Sequence, residues 1–203
     1  MQSEKKTESK TVLIIFLAVM AAMIISGIVF YAELKELMNR PRLYPHVLFA
    51  HIVAVTLFFA NAIVGMLWES RSLASGKKEV ILHTYNTVAW LDARFSSPLI
   101  VASVITGVTL TLMLGDIWKI GWLFWAFVLF MFSGATWIIS DIPTQYKIKE
   151  LMENLSPEDP ELPAELVRLL KLRLKISLLG VLPLFAVFIL MVYKPGIPSL
   201  VPG

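Results

Sequence analysis

The stretch Gly121–Ile139, G-W-L-F-W-A-F-V-L-F-M-F-S-G-A-T-W-I-I, decides the solvent in which this chain folds. It contains no charged residue, and its first half is apolar on every side of a helix. A bilayer core of about 30 Å needs roughly 20 helical residues to cross it. Strands span a bilayer only in closed barrels with alternating apolar and polar residues, and this stretch does not alternate. The stretch therefore predicts a transmembrane helix.

Four further runs of similar character lie outside that stretch. They are Thr11–Tyr31, Tyr44–Trp68, Phe95–Leu114 and Ile176–Tyr193. The chain is 57% hydrophobic and 16% charged, whereas soluble domains contain about 25% charged residues. We therefore predict an all-α, polytopic membrane protein with five transmembrane helices, the last four of which form an antiparallel four-helix core. A water-soluble domain is excluded.

Composition also divides the chain into segments. We expect a disordered cytoplasmic N-terminus at residues 1–10, an additional transmembrane helix and link at 11–42, the four-helix core at 43–195 and a tail at 196–203. The first apolar run has no small-residue cleavage pattern, which favours a retained anchor over a signal peptide. Ser156–Ala164, S-P-E-D-P-E-L-P-A, predicts a proline-rich turn.

The basic residues predict the orientation in the membrane. Thirteen of the 18 Lys and Arg residues lie on the side of the N-terminus and five lie on the other side. The positive-inside rule then predicts a cytoplasmic N-terminus and an external C-terminus in a bacterial inner membrane. The basic stretch Arg168–Lys175 is expected at the inner lipid headgroups. The net charge of +3 is small, so the expected partner is the lipid bilayer and not a nucleic acid.

Two histidines in the second run are the candidate cofactor ligands. His is the usual axial ligand of b-type haem and also binds copper or zinc. His46 and His51 are five residues apart, which sets them about 140° apart on a helix, so one ion cannot take both. His51 is the deeper residue, and Phe58 and Gly65 continue its stripe. A haem or metal ligand and a structural histidine bonded to a neighbouring helix both remain open for His51, while His46 is expected at the outer surface.

Four other polar residues are predicted to have structural roles. Asn61, in the middle of the second run, is expected to bridge helices. Asp92 and Arg94 precede the third run but are two residues apart, so they do not face each other on a helix. We expect Arg94 to pair with Asp141 across helices as a clamp at the inner interface. The hydroxyls of the third run are expected to bond their own helix backbone.

The sequence offers no foothold for soluble-enzyme catalysis. It contains no P-loop, G-x-G-x-x-G, H-E-x-x-H or G-x-S-x-G pattern, so no catalytic residue is predicted. There is no cysteine, which removes disulfides, thiolate metal sites and covalent c-type haem. The nine Met residues form no regular ladder, which does not favour a copper channel.

The block from His46 to Pro195 resembles a family of predicted bacterial integral membrane proteins, domain-of-unknown-function family 2269. The resemblance rests on the order of several short features: His51, Gly65, W-L-D-A-R-F-S-S-P at Trp90–Pro98, Gly107, P-T-Q at 143–145 and M-V-Y-K-P at 191–195. The usual core of that family has four helices, so the first helix is additional. The core is also distantly similar to the copper-resistance D and membrane protoporphyrinogen oxidase group, in which a membrane His binds haem. Only His51 carries over from that group.

Three functions are compatible with these features. The first is binding of haem b through His51 for electron transfer or a respiratory complex. The second is a structural or assembly subunit without a cofactor, in a membrane complex or a homo-oligomer. A stripe of small residues on helix one, Ala18, Ala22 and Ser26, supports this role. The third is a metal or small-solute transporter, which needs a continuous polar path.

Overall fold

A computed structural model of the chain describes residues 2–38, 40–155 and 161–201, with side chains from Thr11 onward except that of residue 12. Eight α-helices follow one another: α1 Gln2–Val29, α2 Tyr31–Met38, α3 Tyr44–Ser75, α4 Lys78–Leu91, α5 Ser97–Leu114, α6 Gly121–Thr136, α7 Ile142–Glu153 and α8 Ala164–Tyr193. A 3₁₀ turn at Pro41–Leu43 precedes α3. No strand occurs in the described ranges. The prediction of an all-α polytopic membrane protein is confirmed.

Four of the described helices are long and apolar enough to cross a membrane. They are Pro41–Ser75, Lys78–Leu114, Gly121–Glu153 and Ala164–Tyr193. The pair Leu13–Val29 and Tyr31–Met38, bent by 91°, adds a fifth span if the two helices are taken together. Large apolar side chains such as Phe49, Leu67 and Ile139 are highly exposed on the spans, as lipid-facing surfaces require.

The division of the chain into four segments stays a prediction. The first helix begins at Gln2, within the segment for which the sequence predicts disorder. Glu and Lys in that segment are good helix formers and extend the apolar helix that follows. In the predicted turn Ser156–Ala164, residues 156–160 lie outside the described ranges, and Ala164 begins α8.

Two of the long helices each contain one π turn. The first π turn, Asp92–Ser96, joins α4 to α5, and the second π turn, Trp137–Asp141, joins α6 to α7. Helix α4 therefore continues directly into α5, and α6 continues directly into α7, so each pair forms one long helix.

The chain divides into two compact units. The first unit comprises Met1–Thr56 and Pro98–Asp116. Within it, α1 approaches α5 closely at Gly27, since a Cβ atom at that position would lie 2.6 Å from Val108 Cγ1. Ala18 and Ala22 are exposed, so the close approach uses Gly27 and not the predicted small-residue stripe. The role of that stripe in assembly remains a prediction.

The second unit comprises Leu57–Ser97 and Ile117–Gly203. Its best-buried part is an apolar cluster in which Ile148 of α7 and Leu166 of α8 are fully enclosed. The other members are Ile81, Tyr85, Leu169 and Leu170, with Leu73, Leu151, Met152, Leu155 and Leu162 packed against them. These residues lie outside the five apolar runs of the sequence, so we call this cluster the aqueous cap.

The C-terminal tail folds back within the second unit. Helix α8 ends at Tyr193. Its C-cap residue Lys194 adopts a left-handed φ of 44°, and Pro195 prevents the helix from continuing. Val201 N donates to the Trp118 carbonyl at 3.3 Å. Gly121 lets the tail pass, because a Cβ atom there would collide with the Ile197 and Pro198 carbonyl oxygens.

Candidate functional site

A buried arginine is the centre of the most polar part of the second unit. Arg173 of α8 has a side chain only 4% exposed. The expectation that all charges of Arg168–Lys175 lie at the lipid headgroups is therefore wrong for this residue. Arg168, Lys171 and Lys175 are exposed as expected. Arg173 follows Leu166, Leu169 and Leu170 at the spacing of one helix face, and that face is buried.

Three carboxylates surround this guanidinium, and each comes from a different part of the chain. Arg173 Nη1 donates to Glu69 Oε1 of α3. Arg173 Nη2 donates to Asp92 Oδ2 of the first π turn at 3.1 Å. Asp141 Oδ1, in the second π turn, lies 3.5 Å from Arg173 Nε. We call these four residues the Arg173 cluster.

The four members of the Arg173 cluster occur at equivalent positions relative to the apolar runs. Glu69 directly follows the second run and Asp141 comes two residues after the fourth. Asp92 and Arg173 each stand three residues before a run. The cluster therefore lies where the lipid-spanning segments meet the aqueous cap.

Polar and aromatic neighbours complete the cluster. Tyr85 of α4 presents its ring to the guanidinium, with 5.2 Å between Arg173 Cζ and the ring centroid. Asn61 Nδ2 donates to Ser96 Oγ at 2.8 Å and approaches Asp92 Oδ1 at 3.5 Å. Asn61 of α3 therefore contacts the first π turn, and its structural role stays a prediction.

The two π turns deliver the two aspartates in the same way. The Ser97 amide donates to the Asp92 carbonyl, and the Ile142 amide donates to the Trp137 carbonyl. Each donor directly precedes a proline, Pro98 or Pro143. A proline inside a helix has no N–H and its ring clashes with the carbonyl four residues earlier. Widening the preceding turn to i→i−5 bonding relieves that clash, so the prolines explain why the π turns form where they do.

Charge does not balance within the Arg173 cluster. With every group ionised, one guanidinium faces three carboxylates, which leaves an excess of two negative charges. The Glu69 and Asp141 side chains are each only 8% exposed, while that of Asp92 is 35% exposed. Among the described residues, Asp141 Oδ1 and Arg173 Nε also have no hydrogen-bond partner. Burying uncompensated charge costs several kcal/mol per ion, so the cluster favours occupants that reduce its negative charge.

The cation beside Asp141 is Arg173 and not the predicted Arg94. A clamp at the inner membrane interface stays a prediction. Arg94 is exposed, and its guanidinium stacks over the Trp90 ring at 5.8 Å. Residues two apart point to nearly opposite sides of a helical turn, so directing Asp92 inward turns Arg94 outward. Asp141 is paired across helices as expected, with Arg173. The role of Glu69 was not predicted.

His51 lies in the first unit and is hydrogen-bonded to α5. Its Nδ1 is 2.9 Å from Thr106 Oγ1. The Thr106 hydroxyl donates to the Ala102 carbonyl at 2.6 Å, so its oxygen is left to accept from His51. In the tautomer that carries its proton on Nδ1, His51 donates this bond and keeps the lone pair of Nε2.

The glycine beside the His51 ring is not the one that the sequence pattern indicates. A Cβ atom at Gly107 would lie 3.2 Å from His51 Cε1, so Gly107 gives the ring its space. A Cβ atom at Gly65 would instead meet Val88 Cγ1 at 3.3 Å, within the second unit. His46 is exposed at the start of α3, as expected.

Most hydroxyls of the third span bond their own helix, as predicted. Ser103, Thr106 and Thr109 each donate to the carbonyl four residues earlier, at 2.6–2.8 Å. Over the described ranges, no group of three or more His, Asp or Glu side chains is arranged to hold a metal ion.

These features define a polytopic integral membrane protein with a buried cluster of charges at the edge of its spans. The chain belongs to the family described as Predicted integral membrane protein (DUF2269), whose match covers residues 45–195. The first helix and its link precede that match. No curated protein and no solved structure matches the chain, and the similarity to the copper-resistance D group is not confirmed.

Proposed function

We propose that this membrane protein binds protons at the Arg173 cluster and that the packing of its helices depends on whether the protons are bound. The observation that carries the proposal is the grouping of Glu69, Asp92 and Asp141 around one buried guanidinium. A proton on one carboxylate lowers the excess negative charge without needing a cavity or a coordination shell.

The position of the cluster supports a link between proton binding and conformation. Its members come from α3, α8 and both π turns, so a change in their charge acts on four helical segments together. Ionisable groups at such positions in membrane helices commonly mark proton relays and ion pathways. With the orientation that the basic residues predict, protons reach the cluster from the cytoplasm. This role belongs with the transport hypothesis, with a proton as the species bound.

Infrared spectroscopy of the purified full-length protein tests the proposal. A protonated carboxylic acid has a carbonyl band that is distinct from the carboxylate bands and shifts in D₂O. We expect this band at neutral pH, where exposed Asp and Glu are ionised. A variant with Glu69→Gln, Asp92→Asn and Asp141→Asn should lack it.

Proteoliposomes provide the functional measurement. After an external acid step, the wild-type protein should bind or conduct protons that an internal and an external pH dye detect, and the triple variant should not. The absence of both the infrared band and any difference in proton uptake would refute the proposal.

A second candidate function, haem b binding, is favoured by the hydrogen bond of His51. Iron-ligating histidines usually donate their other ring nitrogen to an acceptor that fixes the tautomer and the ring orientation. Thr106 provides that acceptor, and the Nε2 lone pair suits an axial bond to iron. His46 is exposed on another side of the same helix, so this chain offers one axial ligand to such a haem.

An absorption spectrum distinguishes this second candidate. Protein purified after growth with a haem precursor should show a Soret band that His51→Ala abolishes and Thr106→Val weakens or shifts. If haem-supplemented protein shows no Soret band, the haem hypothesis is wrong, and the structural role of His51 is the one that remains.

A further inference from the structure

Resting on the proposed function, we infer that Asp141 is the carboxylate that holds the proton, with Gln145 as its hydrogen-bond partner, and that Asp92 is the carboxylate through which protons arrive. The first part depends on how the three carboxylates share the guanidinium. The second depends on their exposure.

The guanidinium is hydrogen-bonded to two of the three carboxylates. Glu69 accepts from Arg173 Nη1 and Asp92 accepts from Arg173 Nη2. Asp141 Oδ1 is 3.5 Å from Arg173 Nε, and neither atom has a hydrogen-bond partner. Charge-assisted hydrogen bonds stabilise the ionised form of a carboxylate. Asp141 receives none from Arg173, so it loses least when it is neutralised.

The contact on the other side of Asp141 suits an acid. Gln145 Nε2 donates to Asp141 Oδ2 at 2.5 Å, which places the amide within hydrogen-bond reach of this carboxyl. The two ends of a Gln amide are interchangeable in position. Turned over, the amide accepts from a protonated Oδ2 through Gln145 Oε1, and Asp141 becomes the donor.

Charged and titratable groups from four neighbouring elements face Asp141. They are Glu69 on α3, Tyr85 on α4, Asp92 in the first π turn and Arg173 on α8. Two of these four groups are carboxylates that accept hydrogen bonds from Arg173. A proton on Asp141 removes the electrostatic repulsion between Asp141 and the other two carboxylates, Glu69 and Asp92. It leaves the hydrogen bonds of those two carboxylates to Arg173 intact.

Exposure identifies the point of access. The Asp92 side chain is 35% exposed, against 8% for Glu69 and for Asp141. A proton from bulk water therefore meets Asp92 first. It then forms an O–H bond at Asp141, and it returns to water by the reverse route.

Single isosteric variants test this assignment in the infrared experiment. Asp141→Asn should abolish the carboxylic acid band, while Glu69→Gln should leave it. Gln145→Met should shift the band in frequency without removing it, which keeps the test decisive if Asp141→Asn fails to fold. Asp92→Asn should keep the band and slow its exchange after a pH or D₂O step by tenfold or more.

The outcomes separate this inference from the proposed function. A band that is abolished by Glu69→Gln and survives Asp141→Asn would overturn the inference and leave the cluster a proton site. A band insensitive to Gln145→Met would also overturn it, and unchanged exchange in Asp92→Asn would overturn the access route. The absence of any band in the wild-type protein would overturn both proposals.

Discussion

His51 in the first unit and Arg173 in the second unit are both polar residues in a membrane protein, but their surroundings differ. His51 is half-buried and hydrogen-bonded to Thr106. Arg173 is charged, almost fully buried and faces three carboxylates. Residue type alone draws attention to the histidine, because histidine suits a cofactor. Burial and unbalanced charge direct attention to the arginine, where we expect the larger electrostatic contribution to stability.

The largest effect expected from a single change is at Arg173. Arg173→Met removes the only cation of the cluster and leaves Glu69, Asp92 and Asp141 facing one another. Removing one partner of a buried ion pair costs about 3–5 kcal/mol. We expect a loss of this order in the free energy of unfolding, measured by thermal or denaturant unfolding in detergent.

Neutralising the partners provides the control for Arg173→Met. Adding Glu69→Gln, Asp92→Asn and Asp141→Asn removes the exposed imbalance, so most of the lost stability should return. If the combined variant is less stable than Arg173→Met alone, charge imbalance is not the cause of the defect.

Removing one carboxylate should cost less than removing the cation. In Glu69→Ala the guanidinium keeps Asp92 and Asp141 beside it, so the buried cation is not left without a partner. A hydrogen bond to a charged group contributes about 1.5–3 kcal/mol, and we expect a loss in this range by the same unfolding measurement. A loss equal to that of Arg173→Met would mean that the two residues act only as a pair.

The His51 contact should show a smaller effect. Thr106→Val keeps the shape of the side chain and removes the oxygen that accepts from His51 Nδ1. Interhelical hydrogen bonds in membranes contribute on average about 0.6 kcal/mol, with a maximum of about 1.7. The melting temperature in detergent should fall accordingly. A loss as large as that of Glu69→Ala would contradict the contrast between the two sites.

The smallest effect is expected at Arg94, which serves as a matched control for Arg173. Arg94→Met changes an exposed guanidinium that stacks on Trp90. Surface substitutions of this kind usually change stability by about 0.5 kcal/mol or less. The same unfolding assay, run beside Arg173→Met, compares two arginines of the same protein. A strong destabilisation in Arg94→Met would restore Arg94 as the predicted clamp.

The sequence predicts the membrane helices well because an apolar run of sufficient length has one stable conformation in lipid. It also singles out Asp92, Asp141 and Asn61 as candidate polar residues, and their predicted structural role stays a prediction. Which cation pairs with Asp141 depends on how each helix is rotated about its axis. Each π turn inserts one extra residue and so changes that rotation. Pro98 and Pro143 are the visible cause of the π turns, but a proline also fits a first helical turn, as Pro45 does in α3.

Arg173 and Glu69 carried a signal in the sequence. Arg173 continues the buried face of Leu166, Leu169 and Leu170, and the neighbouring basic residues do not. Glu69 lies on the face of α3 that Asn61 and Gly65 begin, at four-residue steps. The space beside His51 depends on which helix packs against α3. The stripe of residues on α3 alone does not show that this helix is α5.

The aqueous cap has a consequence for how this protein comes apart. Inside the bilayer, apolar side chains gain little free energy by packing against each other, because lipid tails are equally apolar. Ile148 and Leu166 of the aqueous cap are instead held together by their exclusion from water. Urea weakens that exclusion, and it acts from the aqueous phase. In a bilayer we therefore expect urea to unfold α4, α7 and the start of α8 first, while the transmembrane helices persist. The Arg173 guanidinium, at the boundary between these parts, should become exposed to water before any transmembrane helix unfolds.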